Sequence, residues 1–181
     1  MKMFRYPFVF AIAALILSSC SPSLSPFTQR LYNENSWTES ELKQIQFYLS
    51  EDIVLRRGLK GMSSEITSGE IKIKDGRKVE EIVLRRGTPG VILFVPKDNR
   101  FAVSFEEGDK KFLMFGPNPK VNDRYVLLAS EWKNQRGKVS YGGERYWVDA
   151  SRGLSSLMVD VSRARNVSVR SRTAKGRRVS N

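Results

Sequence analysis

The chain has 181 residues, 40% of them hydrophobic, with no histidine, one cysteine and a net charge of +12. The missing histidine excludes Ser-His and Cys-His nucleophile pairs and His-containing metal sites, and a single thiol cannot build a disulfide framework. The charge is lopsided: Lys2 and Arg5 open the chain, seven cations crowd residues 163–181 without one acid, and residues 20–162 carry only +3. Whole-chain basicity is therefore not the signature of a nucleic-acid binder, and no nucleic-acid partner is expected.

After the positive start, Tyr6 to Leu17 is an apolar run broken only by Pro7, and Leu17-Ser18-Ser19-Cys20 follows from its last residue. About a dozen apolar residues fall well short of the roughly 20 that cross hydrocarbon. An export signal needs small residues at its cleavage point but has no use for a cysteine directly after them. The segment resembles the bacterial lipoprotein signal, with Leu17, Ser18, Ser19 and Cys20 filling the four positions of its lipid-attachment box. The resemblance implies that Cys20 receives a diacylglyceryl group, that residues 1–19 are removed, and that the mature chain is anchored in the cell envelope without spanning the membrane. Two or three acyl chains on one residue hold a protein stably, where a single chain binds marginally. Ser21 stands where aspartate favours inner-membrane retention in the enterobacterial sorting scheme. The same resemblance therefore favours the outer membrane, facing the periplasm, over the inner.

Removal of the signal leaves enough chain for one domain with a sizeable core. Residues 20–36, with Ser21-Pro22-Ser23-Leu24-Ser25-Pro26, read as a lipidated cysteine on a flexible tether that lifts the domain from the bilayer. Residues 37–50 read as a short helix. Thr38 is its N-cap, Glu41 completes a capping box, Trp37 and Leu42 form a staple, and Leu42, Ile45 and Leu49 recur at helical spacing.

From residue 51 the pattern turns to strands: Ile53 to Leu55, Ile71 and Ile73, Val79 to Leu84, Val91 to Val95, Phe101 to Phe105, Phe112 to Phe115, Tyr125 to Ala129, Lys138 to Tyr141, Arg145 to Val148 and Leu157 to Val161. Turn residues such as Asp75-Gly76, Lys97-Asp98-Asn99, Glu107-Gly108-Asp109, Gly116-Pro117-Asn118-Pro119 and Gly142-Gly143 divide them. The chain is thus expected to be mostly β, about ten short strands in an antiparallel barrel or sandwich preceded by one short capped helix. Alternation at Phe101, Val103 and Phe105 suggests one wet face, whereas Val91 to Val95 looks buried on both.

Three features are candidates for function. Glu51-Asp52-Ile53-Val54-Leu55-Arg56-Arg57-Gly58 recurs as Glu80-Glu81-Ile82-Val83-Leu84-Arg85-Arg86-Gly87. Adjacent strand residues point to opposite faces, so neither an Arg pair nor a carboxylate pair of this kind forms a clamp or a two-acid site by itself. Trp132, Tyr141, Tyr146 and Trp147 flank Gly142-Gly143; they fill a core or form a stacking platform for glycan or peptidoglycan. Arg163, Arg165, Arg170, Arg172, Lys175, Arg177 and Arg178 lie in an Arg/Ser-rich tail, 163–181, expected to be disordered and suited to an anionic surface or an acidic partner.

The reading is a membrane-anchored envelope lipoprotein acting as a non-catalytic structural or interaction component, with a wall-polymer binder as the alternative. No catalytic residue, metal site or cofactor is expected; its partners would be the membrane, an envelope protein complex or a cell-wall polymer.

Overall fold

The computed structural model describes residues 23–59, 69–74, 77–97, 99–149 and 155–167. In chain order the elements are β1 (Leu24–Pro26), α1 (Gln29–Asn35), α2 (Glu39–Leu42), β2 (Phe47–Leu49), β3 (Ile53–Gly58), β4 (Glu70–Lys74), β5 (Arg77–Leu84) and β6 (Pro89–Lys97). They continue with β7 (Arg100–Ser104), β8 (Leu113–Asn118), a 3-10 turn (Pro119–Val121), β9 (Arg124–Leu127), β10 (Glu131–Lys133), β11 (Arg136–Tyr141), β12 (Glu144–Asp149), β13 (Leu157–Asp160) and α3 (Val161–Val167). The fold is mostly β, and its paired strands run antiparallel in two sheets: β1-β13-β2-β6-β7-β8-β9 and β10-β11-β12-β3-β5-β4. The larger sheet curls until single bridges, Thr28 to Arg124 and Val126 to Ser156, tie its two ends. No ladder continues across that seam, so the architecture is a sandwich and not a closed barrel.

Each of the ten anticipated strand segments overlaps a strand, with Phe105, Phe112, Leu128, Ala129 and Val161 falling outside the strand ends. Turn chemistry explains much of their spacing. Gly142 and Gly143 both have positive φ and close the β11–β12 hairpin, the two-residue geometry that matches strand twist. Asn134 and Gln135, also at positive φ, close β10 onto β11. Gly116 to Asn118 extend β8 instead of turning, and the chain reverses through Pro119–Val121 and the left-handed Asn122 and Asp123.

Two expectations about the N-terminal part are corrected. The stretch 20–36 is not a tether throughout. Ser25 pairs with Val159 as β1 joins β13, Thr28 caps α1 through Oγ1, and Phe27 is fully buried. Phe27 meets the rings of Trp37, Phe47, Phe101 and Tyr125 at centroid separations of 5.0 to 5.9 Å. One large buried ring outweighs the flexibility implied by its Ser/Pro neighbours.

The helix expected over 37–50 is cut to Glu39–Leu42. Its capping box forms as expected, with Thr38 N–H donating to Glu41 Oε2 at 2.8 Å and Glu41 N–H to Thr38 Oγ1 at 3.4 Å. Phe47, Tyr48 and Leu49 instead form β2, laddered between β13 and β6. A single helical turn has little intrinsic stability, and two strand neighbours supply the backbone bonds and burial it lacks. Leu42, Ile45 and Leu49 are all buried, as the spacing required, but they sit in the helix, in the bend after it and in β2.

The tail is also shorter than expected. Val161–Val167 is helix α3, with Ala164 buried, and Asp160 Oδ1 accepts from the N–H groups of Ser162 and Arg163 at 3.1 and 3.3 Å. That is the bonding of an N-cap.

Candidate functional site

Strand register decides what the aromatic hairpin can do. Trp132 pairs with Gly137 and Gly137 with Val148, placing these three on one face with Val139, Tyr141 and Tyr146. Trp147 pairs with Lys138 and Arg56 on the other face. Tyr141 and Tyr146 are buried, while Trp132 and Trp147 remain 48% and 38% exposed. The four rings therefore form no common platform. Tyr141 instead donates to Glu106 Oε1 at 2.7 Å, clasping the loop after β7 to the hairpin. Lys138 Nζ lies 5.7 Å from the Trp147 ring centroid.

The recurring eight-residue unit proves to be self-complementary. β3 and β5 pair so that Arg56 faces Glu81 and Arg57 faces Glu80, with Ile53, Val54 and Leu55 opposite Leu84, Val83 and Ile82. The two ion pairs fall on opposite faces. Outside, Arg56 bonds Glu81 at 2.7 Å and Asp149 at 3.0 Å. Inside, Arg57 bonds the fully buried Glu80, reaches Glu144 at 2.7 Å, and lies over the Tyr146 ring. Burial, then the neighbouring Glu80, pushes the Tyr146 hydroxyl up to about 12. Arg57 bridges Glu80 and Glu144, so the pair is held on a guanidinium. Asp52 accepts the Arg86 N–H at 2.7 Å.

The surface that the sequence did not point to lies along β6. Its five-residue apolar run is not buried on both faces: Val91, Leu93 and Phe94 are 42%, 41% and 38% exposed, and Ile92 alone is deeply buried. β7 shows the reverse, with Phe101 to Ser104 all buried, so its expected wet face is absent. Val91 and Leu93 alternate with the buried Ile92, and the register shift between Ile92 and Phe94, followed by another between Phe94 and Lys97, puts Phe94 on the exposed side as well. Each re-aims the following side chains, and Pro96 is accommodated within the second irregular stretch. Ala102, in mid-sheet, is flanked by its longer partners Phe94 and Met114.

The exposed stripe opens onto a groove of about 440 Å³, bordered by Pro89, Val91, Leu93, Phe105 and the Glu106–Glu107–Gly108 loop. That loop is held in place. Ser104 Oγ lies 2.7 and 2.8 Å from the Glu106 and Lys111 carbonyls, Glu106 takes the Tyr141 hydroxyl, and Lys111 Nζ reaches Glu106 at 3.3 Å. The Phe105 ring fills the space above Gly90, where a Cβ would stand 2.5 Å from it. The groove thus has a fixed apolar floor and an acidic lip. A sequence signal was present in Pro96, which marks β6 as irregular.

Of the remaining candidates, Leu17, Ser18, Ser19 and Cys20 lie outside the described residues, as do Arg170, Arg172, Lys175, Arg177 and Arg178. Arg163 and Arg165 project from α3, Arg163 paired with Asp160 at 3.3 Å and Arg165 exposed. Among the described residues no cluster of three or more carboxylate or thiol groups could hold a metal ion. No protein-family model, curated protein or solved structure matches this chain, so the reading of its sites rests on its own residues and geometry.

Proposed function

We propose that the chain is a bacterial envelope lipoprotein, anchored through Cys20, whose β domain serves as a docking module for another envelope protein. The anchoring rests on the Leu17-Ser18-Ser19-Cys20 box behind a short apolar run and on the resemblance it carries. The docking role rests chiefly on the β6 stripe, where Val91 and Leu93 stand exposed beside a rigidly held loop. Contiguous apolar surface of this kind is a mark of partner contact, and a floor that does not reorganise lowers the cost of binding. The partner it suits presents apolar side chains with a basic group near Glu107.

A photoreactive side chain at position 93, in cells, is expected to crosslink one envelope protein in high yield, and the same probe at Lys133 is not. With the probe kept at position 93, Val91→Asp should leave the melting temperature nearly unchanged, since exposed substitutions usually alter stability by less than about 0.5 kcal/mol, while removing that crosslink. Equal labelling from both positions would sink the docking role. Retention on purified wall polymer that is lost in Trp147→Ala would put the outer face of β12 in its place.

A further inference from the structure

The two ends of the described chain meet. Leu24, the first residue of β1, pairs directly with Asp160, the residue from which α3 springs. Directly paired residues stand about 5 Å apart. Leu24 is four residues on from Cys20, with three between them, a reach of at most about 14 Å. On the reading that Cys20 carries the lipid anchor, the domain has no long spacer: β1, and α3 with it, is held against the membrane surface.

That corner of the fold is cationic. A groove of about 340 Å³ is lined by Pro26, Thr28 and Val161 together with Arg30, Arg124 and Arg165. Their three guanidinium groups come from α1, β9 and α3, elements brought together by the β1–β13 ladder and the Thr28–Arg124 bridge. All three are exposed. Glu34 is the one acid among the lining residues and sits beside Arg30 at 3.4 Å; no carboxylate among the described residues pairs with Arg124 or Arg165. The chain leaving α3 adds five more cations and no acid over residues 168–181.

We propose that this corner is the membrane-facing surface of the protein, and that Arg30, Arg124 and Arg165 bind the phosphates of anionic lipid headgroups, fixing the orientation of the anchored domain. The inference rests on the lipoprotein reading. The anchor supplies proximity, and the three arginines supply a preferred face: guanidinium forks match phosphate oxygens. Each cation near an anionic leaflet is worth about a fivefold preference, screened by salt within a Debye length. A neutral face would leave the domain free to tumble on its short leash. With β1 down, β6 lies three strands further round the sheet, beyond β13 and β2.

The test uses the full lipidated protein in nanodiscs of phosphatidylcholine, with and without phosphatidylglycerol, carrying a headgroup photocrosslinker read by peptide mass spectrometry. The mass of the Cys20 peptide is measured first; an unmodified thiol overturns the anchor and this inference together. With Cys20 lipidated, crosslinks should concentrate on residues 29–35, 122–124 and 161–167 when phosphatidylglycerol is present. They should fall at least tenfold in high salt and in Arg30→Glu/Arg124→Glu/Arg165→Glu. Lys133→Glu/Arg145→Glu, on the smaller sheet, should change nothing. Crosslinks spread evenly over both sheets, or insensitive to lipid charge and salt in the unsubstituted protein, overturn the proposal while leaving the anchor intact. Because that arm needs no variant, a misfolded triple mutant does not blunt the test.

Discussion

In the larger sheet the space inside the curl is filled by rings. Phe27 touches four of them, and Phe101 stacks on Tyr125 at 4.7 Å. In the smaller sheet the inner face of β3, β5 and β12 carries Arg57, the buried Glu80 and Tyr146 beside its aliphatic residues. Rings gain by area and tolerate several packings, so they hold the larger sheet together without dictating which residue faces which. A buried ion pair contributes little net stability but penalises every arrangement that separates it. Because a slip of one residue would send Arg57 and Glu80 to the wrong face, the charges pin β3 against β5 where the near-identical Ile-Val-Leu runs could not. The larger sheet is where stability is concentrated, and the smaller is where register is specified.

The sharpest way to break that contrast is Phe27→Ala. Emptying a fully buried site lined by four rings should cost about 3–5 kcal/mol, read as a drop in the denaturant midpoint. A silent substitution would restore residues 20–36 to the tether that their composition suggests. Next comes Glu80→Ala, which takes from a largely buried guanidinium its fully buried partner and leaves it the half-exposed Glu144. About 3 kcal/mol should be lost, and the double variant Arg57→Leu/Glu80→Leu should recover most of it, because an apolar pair needs no partner. If the double variant is as damaged as the single one, the pair is holding the sheet by something other than its charge.

Legibility followed the same division. The strands from Ile53 onward could be read because glycine, asparagine and proline punctuate them and because β-branched and aromatic residues fill them. What escaped was short or disguised. β1 is three residues, Leu24-Ser25-Pro26, in a run whose proline and serine content mimics a linker; Phe27 alone betrays it. β2 hid inside a helical spacing that ends on its own buried Leu49. β10, Glu131-Trp132-Lys133, is exposed throughout and offers no apolar alternation. The opposite-face argument for Arg56 and Arg57 needed only the pleat and holds in the fold; that their partners would be Glu81 and Glu80 required knowing that the two copies pair with each other. The β6 surface was unreadable for a different reason. Five successive apolar residues normally mean two buried faces; the register shift that leaves Phe94 exposed along with Val91 and Leu93 is set by how β6 meets β7, and Pro96 marks that irregularity without reporting which side chains it exposes.

The smallest expected effect separates the sheets by pH. Burial raises the hydroxyls of Tyr125 in the larger sheet and of Tyr141 and Tyr146 in the smaller, and Tyr146, at about 12, is the least shifted of them. A raised folded-state value favours the neutral phenol in the native protein. Stability from this source is therefore fully present below the unfolded value near 10 and is lost as pH climbs through 10 toward 12. Ionisation at Tyr146 would place a phenolate against Glu80, so the smaller sheet should loosen first, visible as tyrosinate absorbance preceding loss of the aromatic circular dichroism from the Phe27 cluster. Tyr146→Phe removes the titrating group and a hydrogen bond to Glu80. At neutral pH it should cost about 1 kcal/mol, and above pH 10 its stability should decline less steeply than that of the parent, so the two curves converge. Parallel curves throughout that range would assign the alkaline transition to Tyr125 or Tyr141 and move the weaker point of the fold away from the Arg57–Glu80 network.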